Sequence, residues 1–246
     1  MRPLSEVNAS LHEKIERARA AQRLREESCS ANSPVQDLQA GDEGREYVVR
    51  RALKIAKVPE LYMDSDWSRV RSPAVKEWAL AVHARTQKRS EPGPLNHHLL
   101  GHGLLIMGPT GTGKSSAAAL VARDAFAADR TVAWRYVPDL LDTLTSTPKE
   151  RLQEIKRLSA VDVLILDDFG VRDMADWEIG YLDQIVEARY RIRRPIVLTT
   201  NLTREQLMQD QRLGRMVDRW RERTASNIVV LAGESMRSNG ERKPNG

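Results

Sequence analysis

The chain has 246 residues, a formal net charge of +5 and 41% hydrophobic residues, enough for one α/β domain with a small appendage. No apolar run approaches about 18 residues and the N-terminus lacks the apolar core of a signal peptide, so a cytoplasmic protein is expected. Cys29 is the only cysteine, which excludes disulfides within the chain and a cysteine-based zinc site. The positive charge is compatible with a nucleic-acid partner and equally with a solvated basic protein.

The first 44 residues predict one helix followed by a linker. Over residues 10–27, apolar residues such as Ile15 recur at helical spacing on a charged background, and Ser10 begins a capping box. The apolar stripe is narrow, so this helix either packs on its own domain or docks a partner protein. Residues 28–44 are small and polar and contain proline and glycine, which predicts a linker.

Two further helices are predicted before residue 99. Residues 45–58 form a basic amphipathic helix that Pro59 stops, and residues 73–88 form a helix with Ser72 as its cap. The segment 90–98 then interrupts the helical pattern. The histidines in and just after it have no carboxylate or cysteine pattern beside them, so we interpret them as loop residues rather than metal ligands.

From residue 102 onward, short apolar segments alternate with helical ones. This alternation predicts an α/β fold with a parallel sheet that is covered by helices on both faces. The five predicted strands are residues 103–107, 131–137, 161–167, 195–200 and 226–232. The polar tail from Gly233 onward is expected to be loose at its end.

The sequence GPTGTGKS follows the first predicted strand and precedes a helical run, which is the context of a phosphate-binding loop. Backbone N–H groups of such a loop surround phosphates, and its glycines allow the close approach. Lys114 is predicted to reach the β- and γ-phosphates of a nucleotide, and the Ser115 hydroxyl to hold Mg²⁺. The predicted nucleotide-binding residues are Gly108, Pro109, Thr110, Gly111, Thr112, Gly113, Lys114, Ser115 and Ser116.

Two aspartates end the third predicted strand. Paired acids at the end of an apolar strand, downstream of a phosphate-binding loop, are typical of the magnesium strand of ATPases, and the alternative is an Asp-Asp turn. Asp167 is predicted to hold the ion's water shell, and Asp168 to orient and polarise the attacking water. Asn201, at the end of the fourth strand, either reaches the γ-phosphate or its water, or caps the helix that begins near Thr203.

A cluster of arginines lies between residues 212 and 223. Arg215 and Arg219 are four residues apart and therefore share one helical face. An arginine of this kind can act on ATP that is bound to a neighbouring subunit. The alternative is that these arginines only keep a surface helix solvated.

Five motifs occur in the order GPTGTGKS, LILDDFG, PIVLTTN, GRMVDR and GESMR. With them, residues 45 to about 238 resemble the AAA+ ATPases of the DnaC/IstB-like group, which contains bacterial replicative-helicase loaders and helper ATPases of insertion-sequence transposition. The resemblance implies a P-loop NTPase of the AAA+ type: a three-layer α/β sandwich around a five-stranded parallel sheet, with no helical lid domain and a small helical N-terminal region. Residues 58–67 resemble the "IP-x-x-Y" segment of loaders, which favours the loader side.

The resemblance also implies roles for residues outside the phosphate-binding loop. Arg219, or else Arg215, becomes an arginine finger that acts in trans, and Arg237 in GESMR takes the position of a second nucleotide-sensing arginine. Many AAA+ proteins have Asp-Glu where this chain has Asp167 and Asp168, so the water-activating carboxylate is shorter and turnover is expected to be slow. The N-terminal cysteines with which some loaders bind zinc have no counterpart here.

The resemblance implies four segments in the chain. Residues 1–44 would dock a partner, 45–98 would form a helical segment before the core, 99–234 would form the ATPase core and 235–246 a flexible tail. The resemblance further implies an ATP- and Mg²⁺-dependent helicase loader that forms a homo-oligomer and binds a replicative DNA helicase and single-stranded DNA. The candidate DNA contacts, which could equally be a solvated helix face, are Lys149, Arg151, Lys156 and Arg157. The alternatives are a transposition helper that acts with a transposase on duplex DNA, and a nucleotide-binding scaffold.

Overall fold

The computed structural model describes residues 42–84, 103–128, 130–209, 227–233 and 235. The predicted N-terminal helix at 10–27, the segment 90–98 and the arginine cluster at 212–223 lie outside these residues. In the part of the chain that the structure describes, no helix is both long and apolar enough to cross a membrane.

Within the described residues, five strands form one parallel sheet in the spatial order β2-β3-β4-β1-β5. The strands are β1 (Leu104–Met107), β2 (Val132–Tyr136), β3 (Val163–Phe169), β4 (Ile196–Thr200) and β5 (Ile228–Val230). Each predicted strand is found, so the α/β fold class with a five-stranded parallel sheet is confirmed. The strand order places β1, and the loop that follows it, between β4 and β5.

The described helices cover both faces of the sheet. They are α1 (Asp42–Ile55), α2 (Pro73–Ala84), α3 (Lys114–Ala127), α4 (Val137–Leu144), α5 (Pro148–Ala160), α6 (Asp176–Arg191) and α7 (Arg204–Gln209). Because successive strand residues point to opposite faces, Val163 and Ile165 join a core with α1, α2 and α3, whereas Leu164 and Leu166 join a core with α4 to α7. Two separate apolar cores give the predicted three-layer sandwich.

Helix α1 begins and ends earlier than the sequence predicts. The predicted range was 45–58 with Pro59 as the stop, but the helix runs from Asp42, inside the predicted linker, to Ile55. The chain reverses at Lys57, whose φ is 70°, and the N–H groups of Lys57 and Val58 donate to the carbonyls of Lys54 and Leu53, both at 3.0 Å. This is the Schellman arrangement, which satisfies the last carbonyls before any proline is reached.

Helices α1 and α2 share one core with the sheet. Ala52, Leu53, Val75 and Ala79 are buried together with the alanine-rich face of α3. This packing fixes the chain between the two helices, residues 56–72, beside α3. The predicted division of the chain at residue 98 stays a prediction.

Arg189 on α6 is a structural residue at the edge of the sheet opposite the phosphate-binding loop. Its guanidinium is fully buried and donates, at 2.7–3.0 Å, to the carbonyls of Leu158, Val161, Asp162 and Pro195, which lie just before β3 and β4. Burial lowers the pKa of Arg189 to about 9, which still leaves the side chain charged at neutral pH. The Arg189 guanidinium therefore links the residues that precede two neighbouring strands.

Candidate functional site

The predicted phosphate-binding loop connects β1 to α3, and α3 begins at Lys114. Gly108 and Gly111 have φ angles of 149° and 84°, in the region that favours glycine. A methyl group at Gly108 would overlap the Leu231 carbonyl, and one at Gly111 would overlap the Ser235 side chain. The loop therefore needs glycine at both positions for conformation and for space.

Lys114 is buried and its ammonium group lies in the middle of the loop. Nζ donates to the carbonyl oxygens of Gly108 and Pro109, both at 2.8 Å, and to Asn201 Oδ1 at 2.6 Å. Asn201 follows β4, the strand beside β1, so the parallel register brings its side chain to the loop. The structure thus joins two residues that the sequence predicted separately.

Asn201 does not cap the following helix. Helix α7 begins at Arg204, and Thr203 Oγ1 accepts from the N–H of Gln206 at 3.3 Å while Gln206 Oε1 accepts from the N–H of Thr203 at 2.8 Å. Thr203 is therefore the capping residue. The capping alternative for Asn201 is wrong, and its amide oxygen is engaged with Lys114 instead.

Ser115 and Asp167 meet at 2.8 Å, with the Ser115 hydroxyl donating to Asp167 Oδ1. Thr199 Oγ1 donates to the same oxygen at 2.6 Å. Only 4% of the surface of Asp167 is exposed, and this burial raises the pKa of its carboxyl group, while the two hydroxyl donors oppose the rise. Burying an ionised carboxylate costs folding free energy. Residues with pKa values shifted by burial are typical of functional sites.

Asp168 lies at an irregularity in β3 rather than after its end. The strand was predicted to stop at residue 167, but it continues to Phe169, and its pairing with β4 shifts between Leu166 and Phe169. At this bulge Asp168 has a φ of 58°, and its N–H donates to Thr199 Oγ1 at 2.9 Å. Bulges redirect side chains. Asp168, at the bulge, lines the cavity, whereas the neighbouring Asp167 is buried.

Thr199 is the site residue that the sequence did not single out. Its hydroxyl donates to the Asp167 carboxylate and accepts from the Asp168 N–H, so one side chain positions both acids. The only signal was a pair of threonines at the end of an otherwise apolar strand, in the motif PIVLTTN. That signal is weak because threonine is also a common strand former.

A cavity of about 460 Å³ lies beside the phosphate-binding loop. One wall consists of the phosphate-binding loop, the start of α3, Asp168 and Asn201. The opposite wall comes from residues between 61 and 70, and we call residues 60–70 the pocket-wall segment. The sequence identified this segment through resemblance alone and did not place it at the site.

Helix α3 holds the pocket-wall segment in place. Trp67 Nε1 donates to Asp124 Oδ2 at 3.1 Å, and Arg123 donates to the Ser65 carbonyl at 3.1 Å. Because α3 begins at Lys114, the same helix positions both walls of the cavity.

The donor chemistry fits Mg²⁺ with a nucleoside triphosphate. The described part of the chain has no cluster of three or more histidine, cysteine or acidic side chains that could enclose a metal by themselves. Mg²⁺ commonly takes one or two protein oxygens and completes its shell with phosphates and water. Ser115 and Asp167 offer two such oxygens next to Lys114. We propose them as the metal ligands, as the sequence predicts.

Three predicted site residues, Arg215, Arg219 and Arg237, lie outside the described residues, so their roles stay predictions. The candidate DNA contacts lie on α5. Lys149, Lys156 and Arg157 are exposed, and Arg157 is 3.8 Å from Glu154. Arg151 is half-buried, with its guanidinium 4.6 Å from the centre of the Tyr181 ring.

Comparison with known proteins identifies relatives that are described as ATP-binding proteins or as helicase loaders. The family model described as "IstB-like ATP binding protein" matches residues 96–244, more than half of the chain. The replicative helicase loader DnaC of Escherichia coli (strain K12) is 30% identical over 122 residues, which is 48% of this chain and 49% of that protein. A protein named as an insertion sequence ATP-binding protein, y4pL of Sinorhizobium fredii (strain NBRC 101917 / NGR234), is 33% identical over 144 residues, covering 57% of this chain and 58% of that protein.

The chain spans about half the length of the curated relatives that it matches. Among solved structures, DnaI superposes with a TM-score of 0.55 at 20% identity, covering 71% of this chain and 94% of that one. At this identity the likeness shows the fold alone, and it agrees with the P-loop NTPase sheet described above.

Proposed function

The chain belongs to the IstB-like ATP-binding protein family, and on this premise we propose that it is a Mg²⁺-dependent ATPase that loads a replicative DNA helicase. One observation carries the ATPase part of the proposal. Lys114, Ser115, Asp168 and Asn201 come from three separate segments and line a single cavity, and the buried Asp167 accepts a hydrogen bond from Ser115 beside it. Their charges and donors are those that phosphoryl transfer requires.

Each residue would act on a different part of ATP. The Lys114 ammonium would exchange its carbonyl partners for the β- and γ-phosphates, while loop N–H groups bind the phosphate chain. Ser115 and Asp167 would hold Mg²⁺, which supplies positive charge beside the transferred phosphoryl group. Asp168 would orient the attacking water, and Asn201, whose side chain already reaches Lys114, would contact the γ-phosphate or that water.

The loader proposal rests on the relatives and on the basic helix α5. DnaC is by name a replicative helicase loader. Residues 58–67 resemble the "IP-x-x-Y" segment of loaders. The second candidate, a transposition helper, is supported by the family description and by the similarity to y4pL. The ATPase site would serve either role, so the partner must be tested directly.

We expect ATP hydrolysis to be slow for the chain alone and to rise when DNA or the partner protein is added. The short Asp168 carboxylate and the need for an arginine from another subunit both limit the isolated chain. A coupled phosphate-release assay of the wild type, with and without single-stranded and duplex DNA, measures this. Lys114→Ala is the control for contaminating ATPases. Equal wild-type rates in every condition would contradict the expectation.

The α5 surface should bind DNA through phosphates. Replacing both Lys149 and Lys156 by alanine should reduce the slope of log affinity against log salt by roughly 0.7 for each phosphate of single-stranded DNA that the variant no longer neutralises. Fluorescence anisotropy of a labelled oligonucleotide at several salt concentrations measures the slope. Replacing both Lys54 and Lys76 by alanine removes the same number of exposed charges from α1 and α2 across the sheet, and is the matched control. A double variant that matches this control would remove α5 from the DNA surface.

A pull-down experiment and a transposase assay decide between the candidate partners. A loader should retain the replicative helicase in an ATP-dependent pull-down, whereas a helper should stimulate a transposase on duplex DNA. If Lys114→Ala abolished ATP binding but left partner function intact, a nucleotide-binding scaffold would explain the chain better than either.

A further inference from the structure

The chain after β5 returns across the phosphate-binding loop. The Leu231 N–H donates to the Met107 carbonyl at 2.7 Å, and the Leu231 carbonyl lies against Gly108. Ser235 lies against Gly111, at the position where a side chain on that glycine would stand. We call residues 231–233 and Ser235 the strap. It contacts the loop at the two glycines whose conformation shapes the phosphate site.

Arg71 joins the strap to the opposite wall of the cavity. It directly follows the pocket-wall segment, and its guanidinium donates to the Ala232 carbonyl at 3.2 Å. Gly233 has a φ of 117°, and a Cβ there would overlap the Arg71 guanidinium, approaching Cζ to 3.2 Å. The guanidinium therefore occupies space that exists because residue 233 is glycine.

These contacts connect α3, the pocket-wall segment, the strap and the phosphate-binding loop in series. The pocket-wall segment is held to α3 through Trp67 and Arg123, Arg71 holds the strap, and the strap contacts Gly108 and Gly111. Without the Arg71 hydrogen bond, the strap would stay attached to the loop at Leu231 but would be untied from the pocket wall. The two sides of the site could then separate without unfolding either core.

We propose that Arg71 and Gly233 form a latch that positions the strap on the phosphate-binding loop and slows the release of bound nucleotide. Arg71 is thus a positioning residue, since it acts through the strap rather than by lining the cavity. The inference rests on the proposed ATP site, because a latch on the loop regulates release only if nucleotide binds there.

The first test is the nucleotide release rate of Arg71→Ala. A fluorescent ATP analogue is bound to the full chain with Mg²⁺ and chased with excess ATP in a stopped-flow instrument. The variant should release the analogue about three- to ten-fold faster, the size expected for one hydrogen bond, with little change in association rate. Its melting temperature should stay close to that of the wild type, since Arg71 is exposed.

Two controls separate the latch from simple removal of charge. Repeating the chase at about 0.5 M salt shortens the Debye length to roughly 4 Å, so an effect of charge alone would shrink while the latch effect persists. Gly233→Ala changes no charge and should also accelerate release. The φ of 117° at residue 233 strains an alanine with or without Arg71, so Gly233→Ala should still accelerate release in the Arg71→Ala background, but by less than in the wild type.

The outcomes distinguish the latch from the site itself. If the wild type binds nucleotide but Arg71→Ala releases it at the wild-type rate, the latch is wrong and the proposed ATPase stands. An effect that disappears at high salt, or fully additive effects of the two variants, would also overturn the latch. If the wild type binds no nucleotide, the proposed function fails and the latch fails with it.

Discussion

Asp167→Asn should lose ATP hydrolysis by about 10²–10³-fold and at the same time make the nucleotide-free protein more stable at neutral pH. The loss follows from removing the negative oxygen proposed to bind Mg²⁺. The gain follows from burial, which raises the pKa of Asp167, so the ionised form is less favourable in the folded chain than in the unfolded one. The asparagine oxygen can still accept from Ser115 and Thr199.

The raised pKa of Asp167 determines how the stability difference between wild type and Asp167→Asn depends on pH. At low pH, where Asp167 is protonated in both states, the carboxyl group costs no folding free energy. As pH rises above the unfolded pKa of about 3.9, the wild type loses stability until the folded pKa is passed. The free energy of unfolding gained by Asp167→Asn should therefore be larger at pH 7.5 than at pH 4.5.

Chemical denaturation of both proteins at the two pH values measures the difference. Asp173→Asn, the same change at an exposed carboxylate, is the matched control and should alter neither hydrolysis nor stability appreciably. A destabilised Asp167→Asn at neutral pH would show that the carboxylate is a structural residue rather than one kept for binding.

The second large effect concerns hydrolysis shared between subunits. Arg219→Ala should retain ATP binding but lose turnover, by up to about 10³–10⁵-fold if the arginine acts as a finger. Asp168→Ala should lose turnover for a different reason, because it removes the group proposed to orient water. Each variant then keeps the part that the other lacks.

Mixing the two variants tests the arrangement. If subunits assort at random at equal amounts, about one quarter of the interfaces pair an intact Asp168 with an intact Arg219 from the neighbour. Steady-state ATP hydrolysis by the mixture should recover to about one quarter of the wild-type rate. Arg215→Ala is assayed alone and, if it is inactive, in the same mixture, which identifies the arginine that is used. No recovery with either arginine would contradict a finger acting in trans.

Much of the site could be predicted because local sequence determined it. Short apolar segments fixed the strands, and in a parallel sheet the carboxyl ends of neighbouring strands meet at one edge. The phosphate-binding loop after β1, the acids on β3 and Asn201 after β4 therefore had to be close together. The direct contact of Lys114 with Asn201 follows from this topology.

Other features depend on tertiary contacts that no local pattern encodes. The bulge at Asp168 arises from the pairing of β3 with β4, and it separates a buried acid from one that lines the cavity. Thr199 bonds to both acids because the pairing of β3 with β4 places its hydroxyl between them, and this pairing cannot be read from β4 alone. The pocket-wall segment reached the site because Trp67 and Arg123 bond across more than 50 residues of chain.

Isothermal titration of the full chain with ATP tests most directly whether this cavity is a Mg²⁺-dependent ATP site. With Mg²⁺ present, we expect saturable binding of one ATP per chain, weakened when EDTA replaces the metal and abolished in Lys114→Ala. The absence of saturable binding by the folded wild type at millimolar ATP, with Mg²⁺ present, would contradict the proposed site.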